Sequence, residues 1–267
     1  MEKIFVAMDD SEDSLRALVF GQRFAVQLGA DVTVVSVVPV QSDIAVRRAT
    51  LQARISAHQL ETEALEVVVH DSAQEYLSGL ASQENGGLCM MAQGRRPVPE
   101  MLIGSVTTGV VRRAHCPVYL CGPRYDRRAH QRVDVLAVCV DGSKLSEKIL
   151  PHAAVLSKRL AARLQLLQVM DTDAARKPTT LDHTDVMESA YLSALARRVE
   201  SEQALEVDWE VLHGDPADSI VSYLADSHNI MLAMTTHGRS GLSQVVAGSV
   251  SHEVLHEVSC PVAVLRP

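Results

Sequence analysis

Two stretches of this chain combine glycines and a serine at the same spacing, in an arrangement that can hold an anion. Residues 234–250 read MTTHGRSGLSQVVAGSV, and residues 91–106 read MAQGRRPVPEMLIGSV. In both, a glycine follows an apolar run, nine residues intervene, and Gly-Ser begins a pattern typical of an amphipathic helix. Glycine lets the backbone approach a ligand closely, and the N–H groups at a helix N-terminus attract negative charge. Both stretches therefore predict a phosphate-binding loop.

These stretches belong to a repeat that runs through the whole chain. Residues near the loops recur 144 positions later, for example Gly104 as Gly248, whereas residues near the start recur 132 positions later, for example Asp9 as Asp141. A net insertion of 12 residues in the second copy, within 169–217, accounts for the change of offset. A period above 130 residues is typical of tandem domains rather than of a solenoid. We predict domains at 1–122 and 132–267, with the basic segment 122–132 as the linker.

Composition excludes several functional classes. The net charge of −8 argues against a nucleic-acid partner, because phosphates would repel the protein. No apolar run approaches the ~18 residues that a membrane-spanning helix needs, and the first residues do not resemble a signal peptide. The five cysteines form no CxxC pair, which favours buried reduced thiols over disulfides or metal ligands. We therefore expect a cytoplasmic protein without a metal site.

Apolar runs alternate with helix-length polar stretches in both copies. Ten runs are typical of buried strands: 3–9, 31–38, 65–69, 87–92 and 117–121 in the first copy, and 133–141, 163–170, 205–212, 230–236 and 261–265 in the second. Short, nearly continuous apolar runs indicate parallel strands buried on both faces. Ser11 and Ser143 are predicted to cap helices around 12–29 and 144–162. The fold class is therefore α/β, with two tandem doubly wound, Rossmann-like domains of five parallel strands.

An aspartate ends the first strand of each copy, and the glycine loop follows the fourth strand. In an open parallel sheet, ligands bind beyond the carboxyl ends of the strands, where the strand order reverses. If strands one and four are neighbours, Asp9 and Asp141 can accept a hydrogen bond from an adenine or a ribose. An ordinary turn residue is the alternative, and spacing alone does not choose between them.

The second copy resembles the universal stress protein family, and the resemblance extends over essentially the full length as a tandem two-domain member. The family's pattern is Gly, two residues, Gly, nine residues, then Gly-Ser or Gly-Thr, and Gly238, Gly248 and Ser249 match its second part. The resemblance implies a sheet of order 3-2-1-4-5 and a bound adenine nucleotide, ATP, with Mg²⁺ as its counter-ion. The implied site in the second copy comprises Asp141, Val169, Met234, Thr235, Gly238, Gly248, Ser249 and Val250. The equivalent second site comprises Asp9, Val37, Met90, Met91, Gly94, Gly104, Ser105 and Val106.

Both copies depart from the family pattern at its first glycine. Thr235 occupies that position in the second copy and leaves the pocket open, whereas the bulkier Met91 in the first copy can fill the space of a ribose. The loop of the first copy also contains Pro97 and Pro99. The second copy is therefore predicted to be the better nucleotide site.

The sequence leaves three functions open. A nucleotide-binding regulatory protein of the stress response is favoured by the loop of the second copy. A scaffold that binds no nucleotide is favoured by the missing first glycine. An ATPase is at most slow, because no GxxxxGK[ST] loop occurs and no catalytic residue is evident.

The resemblance also predicts how the domains associate. Fifth strands of this family pair at their edges, so 117–121 and 261–265 are expected to form a pseudo-twofold dimer within one chain. A further homodimer is a second expectation.

Overall fold

The computed structural model describes residues 1–62, 64–83, 86–93, 103–170, 184–236 and 249–267, without the side chains of 184–188. The strands are β1 Lys3–Ala7, β2 Asp31–Val38, β3 Ala64–Val69, β4 Gly86–Met91, β5 Val118–Cys121, β6 Val135–Cys139, β7 Arg163–Met170, β8 Val207–His213, β9 Ile230–Thr235 and β10 Val262–Leu265. The helices are α1 Ser14–Leu28, α2 Asp43–Ala57, α3 Ala73–Ala81, α4 Ser105–Arg113, α5 Leu150–Leu160, α6 Thr184–Gln203, α7 Pro216–Leu224 and α8 Ser249–Glu257. None of these helices is long and apolar enough to cross a membrane.

The strands form one continuous sheet of order β3-β2-β1-β4-β5-β10-β9-β6-β7-β8. Pairing within each half is parallel, with the predicted 3-2-1-4-5 order in the first domain and the same order in the second. The halves meet where β5 and β10 pair antiparallel, with Val262 opposite Leu120. The predicted fold class is confirmed, and so is pairing of the two fifth strands within one chain.

Both faces of the sheet are covered by helices, and an apolar core lies beneath each layer. Leu18 of α1 and Leu51 of α2 pack on one face, together with Ile4 and Val6 of β1. Phe5, between those two strand residues, points to the other face and packs with Leu77 of α3. Consecutive residues of a strand therefore enter opposite cores, which explains why the strand sequences are nearly continuous apolar runs.

The first helix of each domain starts later than predicted. Ser11 and Ser143 do accept hydrogen bonds through Oγ, from the Ser14 N–H at 3.3 Å and the Ser146 N–H at 3.1 Å. In the second domain a 3₁₀ turn over Ser146–Ile149 comes first, and α5 begins only at Leu150. Pro151 has no N–H to donate to the carbonyl four residues earlier, so the α-helical ladder starts there instead of continuing from the turn.

The segment predicted as a plain basic linker is packed between the two domains. Its Tyr125 and His130 are 4% and 3% exposed. The Asp126 N–H donates to the Ser259 carbonyl at 2.9 Å, and the Asn229 N–H donates to a linker carbonyl at 3.0 Å. The linker is therefore a structural part of the junction.

Candidate functional site

The candidate site of the second domain lies where the strand order reverses. From β6 the chain continues to β7 on one side, and β9 lies on the other side. Val138 is opposite Ala233, and Cys139 is opposite Leu167. Two residues beyond the Cys139–Leu167 pair, Asp141 lies beside Val169. Three residues beyond the Val138–Ala233 pair, it lies beside Thr236, at the carboxyl edge of the sheet. This is the position at which open α/β sheets bind ligands.

The loop after β6 is a tight turn organised by Asp141. Gly142 has a φ of 81°, a left-handed conformation that favours glycine. The Asp141 Oδ1 accepts a hydrogen bond from the Ser143 N–H at 3.0 Å, and the Asp141 N–H donates to the Ser146 Oγ at 3.2 Å. The turn role that spacing left open is therefore present, and it fixes the orientation of the carboxyl group at the sheet edge.

The first domain repeats the hydrogen bonds of this turn, although Asp10, at the position of Gly142, does not share its positive φ. The Asp9 Oδ1 accepts from the Ser11 N–H at 3.0 Å, and the Ser14 Oγ donates to the Ser11 carbonyl at 2.7 Å. The same register argument places Asp9 beside Val37. Because both turns survived the duplication, they belong to the basic unit.

The strand-four residues are buried at the carboxyl ends of β4 and β9. Met234 is 4% and Thr235 7% exposed, whereas Val169 and Asp141 are partly accessible. In the first domain Met90 and Met91 are buried as well, and Val37 is partly accessible. The Met91 side chain packs into the core beneath α1, and Met90 packs into the core on the opposite face.

The Gly-Ser pair of the first domain stands directly against the end of β4. The Gly104 N–H donates to the Ala92 carbonyl at 2.8 Å, and the Thr107 Oγ1 donates to the Met91 carbonyl at 3.0 Å. Gly104 is the N-cap residue of α4, and the exposed Ser105 is the first residue of the helix. Two hydrogen bonds therefore hold the N-terminus of α4 at the candidate crevice.

Ser249 begins α8 in the same way in the second domain, and it is exposed, whereas Val250 is partly buried. Several predicted site residues lie outside the described residues: Gly94, Gly238 and Gly248, together with the loop residues His237, Arg95, Arg96 and Arg239. The described part of the site therefore consists of the strand ends, the aspartate turns and the helix starts.

A polar cluster beside Asp141 was not predicted from the sequence. Glu147, in the 3₁₀ turn, accepts hydrogen bonds from the Arg198 Nη2 at 2.6 Å and from the Tyr191 hydroxyl at 3.0 Å. Burial, the hydrogen bond to Glu147 and the charge of Asp141 raise the pKa of Tyr191. The cluster ties α6 to the loop that carries Asp141. The first domain has Leu15 at the position equivalent to Glu147, so it lacks this cluster.

The first domain has a different charged contact at its sheet edge. Arg47 of α2 is 11% exposed, and its Nη1 donates to the Ser36 Oγ at 3.1 Å. Its Nη2 lies 3.8 Å from the Asp10 Oδ2. Gln168 stands at the position equivalent to Ser36. The described parts of the two candidate sites therefore differ in their charged side chains.

Each of the two doubly wound α/β domains has an aspartate turn at its switch point. This architecture defines a class of tandem Rossmann-like proteins. The sequence profile of the universal stress protein family matches residues 1–122 and 133–266. The chain belongs to the universal stress protein family.

Individual relatives agree with this assignment. The chain is 31% identical over 192 residues to universal stress protein Rv2005c of Mycobacterium tuberculosis, a match that covers 69% of this chain and 63% of the relative. It is 25% identical over 145 residues to universal stress protein YxiE of Bacillus subtilis, covering 49% of this chain and 97% of the relative. The crystal structure of a universal stress protein from Archaeoglobus fulgidus superposes with a TM-score of 0.66 at 20% identity, covering 99% of this chain and 98% of that one. The last comparison shows the shared fold.

Proposed function

We propose that this protein binds an adenine nucleotide in the crevice of its second domain, residues 132–267, and acts as a cytoplasmic regulatory protein of the stress response. The observation that carries the proposal is the meeting of the Asp141 turn, Val169 and the end of β9 at the switch point of the sheet. Family membership supports the same ligand class.

Each part of the site has a chemical role in this proposal. The Asp141 carboxylate accepts a hydrogen bond from the base or the ribose. Val169 and Met234 pack against the base. Thr235 is short enough to leave room for the ribose. Backbone amides of the Gly-Ser loop, at Gly238, Gly248, Ser249 and Val250, bind the phosphates, as helix N-termini do. The ligand is ATP, and Mg²⁺ accompanies it as a counter-ion of the phosphates.

The first domain, residues 1–122, provides the weaker site in this proposal. Met91 stands at the position of Thr235. Arg47 forms an ion pair with Asp10, the residue after Asp9. Its equivalents of the nucleotide-binding residues are Asp9, Val37, Met90, Met91, Gly94, Gly104, Ser105 and Val106.

The duplication provides a matched pair of variants to test the proposal. ATP with Mg²⁺ is titrated calorimetrically into the wild type, Asp141→Ala and Asp9→Ala. Because both substitutions remove the same turn, they cost similar stability, but only Asp141→Ala is expected to weaken ATP binding by tenfold or more. Gly248→Val is expected to abolish it. The absence of binding by the wild type at millimolar nucleotide would refute the proposal.

A scaffold that binds no nucleotide is the second candidate, since both copies lack the first glycine of the family loop. Native mass spectrometry of the purified protein separates the two functions, because a nucleotide-binding protein is expected to release adenine nucleotide on denaturation. A slow ATPase requires ATP turnover that Asp141→Ala removes even at nucleotide concentrations that saturate the variant.

We also propose a homodimer of the whole chain. Since β5 and β10 pair with each other, such a dimer uses surfaces other than these two strands. Sedimentation equilibrium of the full chain measures its mass directly, and a monomer across the micromolar range contradicts the dimer.

A further inference from the structure

The linker is held against both domains by backbone hydrogen bonds. Its Asp126 N–H donates to the Ser259 carbonyl of the second domain at 2.9 Å. On the other side, the Pro123 carbonyl of the linker accepts from the Arg16 Nη1 of the first domain at 2.7 Å, and the Val133 N–H, just after the linker, donates to the Gln27 Oε1 at 2.8 Å. Opening of the junction must therefore break contacts on both sides of the linker.

His130 lies at the centre of this junction, and the residue is 3% exposed. Its Nε2 lies 3.3 Å from the Ser259 Oγ, and its Nδ1 is buried without a hydrogen-bond partner. The ring stacks on Tyr125, with 6.5 Å between the centroids and 24° between the planes. A buried polar nitrogen without a partner is destabilising, and the free energy falls when water hydrates it.

A small hollow adjoins the ring between α1 and Pro261. Phe20, Phe24 and Val133 line its apolar side, and it has room for about one water molecule. The hollow gives a proton access to the imidazole without unfolding of either domain.

The charged groups around the ring come from three elements. They are Arg23 of α1, Asp126, Arg128 and the Arg132–Asp134 ion pair of the linker region, and His228 of the loop before β9. Asp126 favours a charged imidazole, and His228 opposes it, but burial has the largest effect and lowers the pKa of His130 to about 4. The closed junction therefore holds His130 neutral.

We infer that the domain junction is proton-sensitive: protonation of His130 drives its ring out of the contact and releases the linker, so that acid loosens the two domains from each other. An exposed histidine has a pKa near 6.5, so the open junction takes up a proton more readily than the closed one. The closed junction is fully stable above about pH 6.5 and loses stability as the pH falls towards 4. The equilibrium between closed and open forms shifts by up to about tenfold for each pH unit in this range.

Hydrogen exchange of single amides tests the inference on the full chain. The amides of Asp126 and Val133 donate across the junction, to Ser259 and to Gln27, so they are hydrogen-bonded only while the junction is closed. Their protection factors, corrected for intrinsic exchange, are expected to fall by up to about tenfold per pH unit between pH 6.5 and 4.5 in the wild type. Asp126 stays ionised over this range, because its pKa is lowered by a hydrogen bond from the Arg128 backbone N–H.

The control variants replace one histidine each. His130→Gln keeps a hydrogen-bonding side chain but cannot titrate, so its protection factors are expected to be independent of pH. His58→Gln alters an exposed histidine at the end of α2 and is expected to behave as the wild type. Equal pH dependence in the wild type and His130→Gln overturns the inference.

A second measurement does not depend on the stability of any variant. Titration of the His130 imidazole by NMR in the wild type is expected to give a midpoint below pH 5. A midpoint near 6.5 would show that the ring is not held neutral by the closed junction, and it would overturn the inference even if His130→Gln fails to fold.

Discussion

Gln27 holds both backbone polar groups of Val133 with one side chain. Its Nε2 donates to the Val133 carbonyl at 2.7 Å, and its Oε1 accepts from the Val133 N–H at 2.8 Å. Arg159, the residue equivalent to Gln27 in the second copy, donates to the carbonyl of Met1, which is in turn equivalent to Val133. The two domains therefore hold each other through one contact used twice, as the subunits of a symmetric dimer do.

Replacement of Gln27 by leucine is expected to lower the free energy of unfolding by about 1–3 kcal/mol, because backbone groups of Val133 lose their partner at the junction. Urea unfolding measures the change. Gln52→Leu on α2 is the control, since Gln52 is exposed and a surface change there costs within about 0.5 kcal/mol. Equal midpoints for the two variants would contradict the role given to Gln27.

Gly122, directly after β5, packs against the backbone of α8. A Cβ there would lie 2.2 Å from the Leu255 carbonyl oxygen, so Gly122→Ala is expected to cost about 1–3 kcal/mol. Gly79→Ala is the matched control, because a Cβ on Gly79 of α3 meets no atom within 4 Å and alanine favours a helix by about 1 kcal/mol. The two substitutions should shift the melting temperature in opposite directions, and shifts of the same sign would contradict the packing described for Gly122.

The N-caps of α7 and α3 differ in strength. The Asp215 carboxylate accepts from the Ala217 and Asp218 N–H groups at 2.9 and 3.1 Å, whereas the Ser72 Oγ accepts only from the Glu75 N–H at 3.3 Å. Asp215→Ala is therefore expected to cost about 1–2 kcal/mol and Ser72→Ala about 0.5 kcal/mol. Thermal unfolding of the two variants in parallel measures which one loses more stability. A larger loss for Ser72→Ala would contradict the prediction.

The cysteine thiols are expected to resist alkylation in the native protein. Burial raises the pKa of Cys139 and of Cys260 to about 12, and it raises those of Cys89 and Cys121 as well. Thiolate is the reactive form, so the buried Cys89, Cys121 and Cys260 should react with iodoacetamide only on unfolding, and the partly exposed Cys139 should react slowly. Cys116 is partly exposed and should react first, although burial raises its pKa too. Mass spectrometry of peptides after timed labelling at pH 8 gives the order, and early labelling of Cys89 would contradict it.

Much of the architecture could be predicted because buried parallel strands have a strong sequence pattern. β2 and β7 coincide residue for residue with the predicted runs, since both faces of each strand require apolar side chains. The predicted start of the helix around 144–162 was wrong, because Pro151 interrupts an otherwise regular helical pattern of apolar residues. The burial of Tyr125 and His130 was not predicted, because in an irregular segment no periodic pattern of apolar residues marks the side chains that enter the core.

The candidate site could be predicted only in part, for a related reason. The aspartate turns depend on neighbours in sequence and are visible as repeated short motifs. The contact of Glu147 with Arg198 joins residues 51 positions apart, and the contact of Arg47 with Ser36 crosses from a helix to a strand. Such pairs depend on how helices are laid on the sheet, which no local pattern specifies.

The antiparallel seam between β5 and β10 has a consequence for any ligands. Strands of the first half run opposite to those of the second, so their carboxyl ends emerge on opposite borders of the sheet. A single small molecule therefore cannot occupy both candidate sites, and each site would bind its own ligand. Any communication between them has to pass through the strands and helices at the middle of the molecule.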